Sequence, residues 1–264
     1  MDLKLQNKRA LVSGSSAGIG FAIAQSLAME GASVVVNGRT AARVEAAAKK
    51  IRDSGARGEV TASTLDLSTA AGADALLKQV PAVDILINNL GMYEPKPFEE
   101  ITDAEWLKIF EVNVLSGIRL SRAYMPGMKK KDWGRIIFIS SESAINTPAE
   151  MIHYGMTKTA QLAVSRGLAQ TTAGTGVTVN SVLPGPTRSE GVEDFVEAIA
   201  KAKKINVADV EAEFFKSVRP GSLLKRFATS EEVAAMVTFV ASPLSAATNG
   251  AALRVDGGVI QSII

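Results

Sequence analysis

Short aliphatic runs alternate along this chain with longer segments of helical period. Ala10-Leu11-Val12, Ser33 to Val36, Val60 to Leu65, Val83 to Ile87, Ile136 to Ile139, Val177 to Val182 and Ala251 to Val255 read as seven strands. Their hydrophobicity is continuous rather than alternating, as expected for strands covered on both faces in a parallel sheet. Between them, Ile19 to Glu30, Ala41 to Ser54, Asp103 to Met128, His153 to Thr172 and Ser230 to Ser242 carry helical periodicity. This βαβ rhythm predicts an α/β fold: a doubly wound sheet of about seven parallel strands with helices on both faces. No linker, repeat or low-complexity tract divides the pattern, so a single domain is expected over residues 1–264.

The segment from about 187 to 220 breaks the rhythm as a polar, mostly helical insertion, and long excursions of this kind are often functional lids. Its basic residues (Arg188, Lys201, Lys203, Lys204, Lys216, Arg219) are balanced by Glu190, Glu193, Asp194, Glu197, Asp209, Glu211 and Glu213. That balance predicts an amphipathic lid over the substrate rather than a docking surface for an acidic carrier.

Composition narrows the chemistry. A 47% hydrophobic content with 5% aromatic residues implies a large, mainly aliphatic core. The net charge is +2, from 29 basic and 27 acidic residues, without a basic stripe that would point to nucleic acid. Lys129-Lys130-Lys131 reads as a solvated run at a helix end. The absence of cysteine excludes disulfides, thiolate nucleophiles and cysteine metal sites, and His153 as the one histidine argues against a histidine triad or a multi-histidine metal site, so no metal is expected. His153 reads as a structural or rim residue. The charged start Met1-Asp2-Leu3-Lys4 and the lack of a long apolar stretch predict a cytoplasmic protein without a membrane partner.

Two places carry candidate chemistry. Gly14-Ser15-Ser16-Ala17-Gly18-Ile19-Gly20 follows the first strand and opens the first helix. There glycines let backbone N–H groups approach a pyrophosphate, and the helix N-terminus faces its charge. The second strand ends Val36-Asn37-Gly38-Arg39, with a cation where an NAD site usually carries an acid, so NADP(H) is the expected cofactor, with NAD the lesser alternative. Farther along, Tyr154 and Lys158 stand four residues apart on one helical face, and Ser141 ends the strand beginning at Arg135. A lysine cation beside a tyrosine favours the phenolate and brings its proton within catalytic reach. One such pair carries little by itself; its context gives it weight.

In these residues the chain resembles the short-chain dehydrogenase/reductase family, from about Asn7 to Gly258, and is similar to its 3-oxoacyl-[acyl-carrier-protein] reductase-like members. Ser13-Gly14-x-x-x-Gly18-Ile19-Gly20 matches the family's Thr-Gly-x-x-x-Gly-x-Gly, Asn88-Asn89-Leu90-Gly91 its Asn-Asn-Ala-Gly, and Val255-Asp256-Gly257-Gly258 its closing motif. The resemblance implies a Rossmann-type fold and a catalytic tetrad of Asn113, Ser141, Tyr154 and Lys158. Tyr154 would exchange a proton with the carbonyl or alcohol oxygen, and Ser141 would hydrogen-bond that oxygen. Lys158 would hold the nicotinamide ribose and lower the tyrosine pKa, and Asn113 would position a water leading to solvent. The cofactor contacts it implies are Gly14, Ser15, Ser16, Gly18, Ile19, Gly20 and Arg39, then Asp66 and Leu67 beside the adenine. Asn89 would lie beside the adenosine ribose and Gly91 beyond it, with Pro184, Gly185, Thr187 and Ser189 towards the carboxamide. Leu90 in place of alanine, Ala17 in place of a basic residue and Ser189 in place of threonine depart from the pattern without removing a catalytic group.

The expected activity is NADPH-dependent reduction of a ketone or acyl carbonyl to a secondary alcohol, or its reverse. The alternative is a catalytically silent NADP(H)-binding sensor or scaffold. Ile145, Met151 and Met92 lean apolar, towards a ketone or acyl-type carbonyl over a free sugar, and polar Asn146, Thr147 and Glu150 weaken that preference. The apolar ending Val259 to Ile264 suggests a subunit contact, and the resemblance implies a homotetramer.

Overall fold

The computed structural model describes residues 1–203 and 205–263; Lys204 and Ile264, and the side chains of Asp194, Phe195, Ala198, Ile199 and Lys203, lie outside the described residues. The elements run β1 (Arg9–Val12), α1 (Gly18–Met29), β2 (Ser33–Gly38), α2 (Ala41–Asp53), β3 (Val60–Thr64), α3 (Ala70–Gln79), β4 (Ile85–Asn88), α4 (Asp103–Phe110) and α5 (Ser116–Lys130). They continue as β5 (Gly134–Ile139), α6 (Ile152–Gln170), β6 (Val177–Pro184), β7 (Thr187–Arg188), α7 (Glu190–Lys203), α8 (Val207–Ser217), β8 (Ala228–Thr229), α9 (Ser230–Ala241) and β9 (Ala252–Val255).

Seven strands form one parallel sheet in the order β3-β2-β1-β4-β5-β6-β9, a doubly wound Rossmann-type arrangement. Alternate strand residues feed two buried layers, as the period of two requires. Val12, Val34, Val36, Ile85, Ile87, Ile137 and Ile139 pack under α1, α2 and α9 through Ile23, Leu27, Ile51, Val233 and Val237. Leu11, Val35, Leu86, Ile136 and Phe138 pack under α3, α5 and α6 through Leu76, Leu120, Tyr124 and Ala169. Both faces are therefore covered, which is why the strands read as continuous apolar runs. Register sets Val12 opposite Val36 and Ile87, so β1, β2 and β4 end within two residues of one another.

Two places differ from the sequence reading, both through tertiary contacts, and a third adds to it. The helix expected over Asp103 to Met128 is interrupted at Glu111–Leu115 by a π-helical turn, and α5 then runs on to Lys130, taking Lys129 and Lys130 into its last turn. There the Ser116 hydroxyl donates to the Val112 carbonyl (2.6 Å) and Gln161 Nε2 donates to the Asn113 carbonyl (2.5 Å), contacts a sequence period cannot carry. The segment 187–220 is helical as expected, and with β8 it builds its own small core of Val196, Val210, Phe215 and Phe227. Finally, the ending Val259 to Ile264 is not one apolar strip: Val259 and Ile260 are buried within the chain, whereas Ile263 is 95% exposed.

Candidate active site

The ends of β1 to β6 converge on one edge of the sheet, around the switch point between β1 and β4 where doubly wound sheets bind ligands. Gly14 and Gly18 adopt positive φ (62° and 56°), which glycine takes without strain. A Cβ on Gly20 would lie 2.4 Å from Asn89 Nδ2 and 2.5 Å from the Gly14 carbonyl, so only glycine fits the close approach of turn and helix. Buried Asn37 holds the turn: its Oδ1 accepts from the Gly14 N–H (3.2 Å), and its Nδ2 donates to the carbonyls of Ser63 (3.1 Å) and Leu65 (3.0 Å). Asn89 clamps the other side, Nδ2 donating to the carbonyls of Ser13 (3.0 Å) and Gly14 (2.9 Å).

Beside the turn lies a cavity of about 220 Å³ lined by Gly14, Ser16, Asn37, Gly38, Arg39, Leu65, Asp66, Leu67, Asn89, Leu90 and Gly91. Seven of the residues expected at a dinucleotide line it: Gly14, Ser16, Arg39, Asp66, Leu67, Asn89 and Gly91. Gly18, Ile19 and Gly20 begin α1 at its edge, and a Cβ on Gly18 would meet the Ser189 Cβ at 3.4 Å. Ser15 faces inward instead: its N–H donates to the Asn37 carbonyl (2.8 Å) and its hydroxyl to the Val12 carbonyl (2.7 Å). Pro184 closes β6, and Gly185 packs against the Asp256 backbone, 2.5 Å from where its Cβ would stand. Thr187 Oγ1 donates to the Gly185 carbonyl (2.9 Å). A glycine-lined cradle at a helix N-terminus, with an exposed guanidinium at its rim, fits a phosphorylated dinucleotide.

Helix α6 delivers the second half of the site. Lys158 is 4% exposed and its Nζ donates to the Ile139 carbonyl (2.9 Å), while the Ser140 hydroxyl donates back to the Lys158 carbonyl (3.0 Å). These two bonds fix α6 against the end of β5. Lys158 Nζ stands 5.5 Å from the centre of the Tyr154 ring. A Cβ on Gly91 would stand 3.6 Å from that Nζ and 3.7 Å from Asn113 Oδ1, so the two polar groups flank one glycine. Ser141 lies just past β5, where its Oγ accepts from the Ser143 N–H (3.1 Å) and its hydroxyl acts on the Tyr154 phenol, favouring the ionised form. Gly155 lets this loop pack on α6, since a Cβ there would sit 2.4 Å from Thr147 Cγ2. His153 is buried with its ring edge-on to Trp106, centroids 5.8 Å apart.

Asn113 is fastened on all sides. Its Oδ1 accepts from the Met92 N–H (2.8 Å), and its Nδ2 donates to the Met92 carbonyl (2.9 Å) and to Thr157 Oγ1 (3.0 Å). The electrostatics differ from the sequence reading. Burial pushes the Tyr154 phenol up to about 12; Ser141's hydrogen bond opposes this, and the fields of Glu142 and Tyr93 add to it. Burial alone pushes Lys158 down to about 7. The desolvation of both groups outweighs the expected pull of a lysine cation on the phenol.

A tyrosine, a serine and a lysine are thus gathered beside a glycine cradle at the strand ends of a doubly wound sheet. The sequence profile of the short chain dehydrogenases matches residues 8–200. The chain belongs to the short-chain dehydrogenase family. It is 48% identical over 263 residues to an uncharacterized oxidoreductase, YvaG, of Bacillus subtilis, covering all of both chains. It is 33% identical to the 3-oxoacyl-[acyl-carrier-protein] reductase of Vibrio cholerae, over 97% of this chain and 99% of that one. Its fold superposes on the L-sorbose reductase of Gluconobacter frateurii, solved with NADPH and L-sorbose, with a TM-score of 0.91, 31% identity and full coverage of both chains. This short-chain dehydrogenase is accordingly an oxidoreductase with the family's Rossmann-type fold. Among the described residues no helix is long and apolar enough to cross a membrane, and no His, Asp or Glu group gathers to hold a metal.

Several residues of the site escaped the sequence reading. Asn37 and Ser13 brace the glycine turn, and Ser13 was quoted only as a motif letter; Gly155 and Gln161 act through contacts on α6. Glu142, beside Ser141, is buried and paired with Arg219 of the 187–220 segment (Oε1 to Nε, 2.8 Å). Its adjacency to the motif serine was the one signal available.

Proposed function

We propose that this dehydrogenase is an NADP-dependent carbonyl reductase or alcohol dehydrogenase, reducing a ketone or acyl carbonyl to a secondary alcohol or running the reverse. The gathering of Ser141, Tyr154 and Lys158, with Lys158 Nζ beside Gly91, at the same strand ends as the glycine turn carries this reading. NADPH, when bound, supplies the hydride. The chain's residues would hold it in sequence: Gly14, Ser16, Gly18, Ile19 and Gly20 at the pyrophosphate, Arg39 at the 2′-phosphate, Asp66 and Leu67 at the adenine, and Asn89 and Gly91 along the ribose. Pro184, Gly185, Thr187 and Ser189 would serve the carboxamide, and Ser15 acts as a brace beneath the turn.

A phenol held near 12 is protonated at neutral pH, the state a proton donor needs in carbonyl reduction. Tyr154 gives that proton to the carbonyl oxygen as negative charge develops there. Ser141 donates a second hydrogen bond to the same oxygen and orients it. Lys158 lies behind the phenol, and Asn113 Oδ1 flanks Gly91 with it, where it would seat a water leading to solvent. The segment 187–220 is the lid, meeting the glycine turn at Ser189. The relative solved with NADPH and a ketose supports both the cofactor and the reducing direction.

The test is NADPH oxidation over ketones, β-ketoacyl thioesters, quinones and keto-sugars, with Tyr154→Phe as control. Loss of the general acid lowers kcat by roughly 10²–10⁴-fold. If no carbonyl is turned over while NADPH still binds, the sensor reading replaces this one.

A further inference from the structure

Asn113 sits in the π-helical turn at Glu111–Leu115, where the Ser116 N–H reaches back five residues to the Glu111 carbonyl. Such a turn carries one residue more than the α-helix around it, so other contacts must hold it, and π turns are frequent at functional sites. Two successive carbonyls of this turn accept from side chains. The Val112 carbonyl takes the Ser116 hydroxyl of the same helix (2.6 Å). The Asn113 carbonyl takes Gln161 Nε2 from α6, 48 residues along the chain (2.5 Å). Gln161 and Asn113 are each 1% exposed, so water cannot stand in for either partner. Gln161 lies three residues beyond Lys158 and seven beyond Tyr154, on the face of α6 that carries both. The Asn113 side chain passes the constraint on. Its amide takes both the N–H and the carbonyl of Met92, fixing the backbone from which Tyr93 extends, and the Tyr93 ring stands edge-on to Tyr154 with centroids 6.1 Å apart. The amide also donates to Thr157 Oγ1 (3.0 Å), whose hydroxyl donates to the Tyr154 carbonyl (2.7 Å).

We infer that Gln161 is a positioning residue of the reaction: by holding the Asn113 carbonyl it keeps the π turn in register, and with it the Asn113 amide between Met92 and Lys158. The inference rests on the reductase reading and assigns a residue outside the Asn113, Ser141, Tyr154 and Lys158 set. Without the donor, the buried carbonyl is left unpaired and the turn relaxes towards regular α-helix. That shifts the register by one residue and swings the Asn113 side chain by about 100°. The amide then leaves Met92, Tyr93 loses its fixed place beside Tyr154, and the polar group that flanks Gly91 with Lys158 is withdrawn. The glycine turn and Ser141 lie outside this chain of bonds. Chemistry is therefore weakened while cofactor binding is kept.

The experiment measures kcat, KM and NADPH affinity for the wild type, Gln161→Met, Asn113→Ala and the double variant, each checked by thermal melting. The substrate is the fastest of 2-butanone, a β-ketoacyl thioester, a quinone and a keto-sugar. Methionine keeps the length of the side chain and removes the donor. Gln161→Met is expected to lower kcat by about 10- to 100-fold, the scale of a misplaced catalytic group, with NADPH affinity near that of the wild type. In the Asn113→Ala background the same substitution should cost less than about twofold, because it acts through a side chain already removed. A merely structural role makes the two losses multiply, or lowers kcat and NADPH affinity together, and either result overturns the inference. A folded Gln161→Met with wild-type kcat overturns it while sparing the reductase reading. Failure of the wild type on every carbonyl overturns both. If the methionine variant does not fold, Gln161→Asn, which draws the amide back by one methylene, decides by the same readouts.

Discussion

At the residue scale, Lys158 shows how burial sets chemistry. Its ammonium is pushed from 10.5 down to about 7 by desolvation. Between those values the unfolded chain binds more protons than the folded one, so stability rises with pH across that window, about 1.4 kcal/mol for each unit of difference. Below about pH 7 both states hold the proton and the cost of burying the charge is fully present. The melting temperature of the protein without added cofactor should therefore rise between pH 7 and pH 9, and Lys158→Met should abolish that rise. A parallel pH dependence in the mutant would refute the assignment. Arg39 tests cofactor choice at the same scale. A charge-assisted contact is worth about 1.5–3 kcal/mol, so Arg39→Asp should move the NADPH/NADH ratio of kcat/KM by roughly 10- to 100-fold towards NADH. An unchanged ratio would remove Arg39 from the 2′-phosphate.

At the scale of elements, the site depends on how closely α1, the loop after β4 and α6 approach one another. Gly20 places the first turn of α1 against Asn89, the side chain that also clamps Ser13 and Gly14. Gly20→Ala forces Asn89 or the turn to move, because overpacking has nowhere to go between backbone and a tied amide. A weakening of NADPH binding by about tenfold or more, read by fluorescence titration, is expected together with a stability loss of roughly 1–3 kcal/mol. Binding equal to the wild type would show that the turn gives way freely. The π-helical turn at Glu111–Leu115 belongs to the same scale. It brings Asn113 to Met92, Thr157 and Gln161 together, so its irregularity coincides with the site rather than with a helix end.

At the scale of the whole molecule, large apolar side chains remain on the surface, among them Phe98, Leu223, Phe239, Leu244 and Leu107, which is 71% exposed. These side chains are available to a subunit interface, and the family resemblance implies a homotetramer. Light scattering at micromolar concentration should give four times the 27.7 kDa chain mass, and a monomer would refute it. The sheet, its parallel sense, the two helical layers and the candidacy of Gly14, Arg39, Ser141, Tyr154 and Lys158 were legible in the chain's local order. Those features are written in local periodicity and in motifs whose members are close in the chain. Helix α3 (Ala70–Gln79) was not singled out, and the π turn and the burial of Val259 and Ile260 were missed, because tertiary contacts settle them. The tertiary structure alone decided that Asn37 braces the glycine turn and that Glu142 meets Arg219. It also decided that desolvation, not the lysine charge, governs Tyr154. Such pairings join residues up to 77 positions apart, and their energies depend on exclusion from water, which no local pattern encodes.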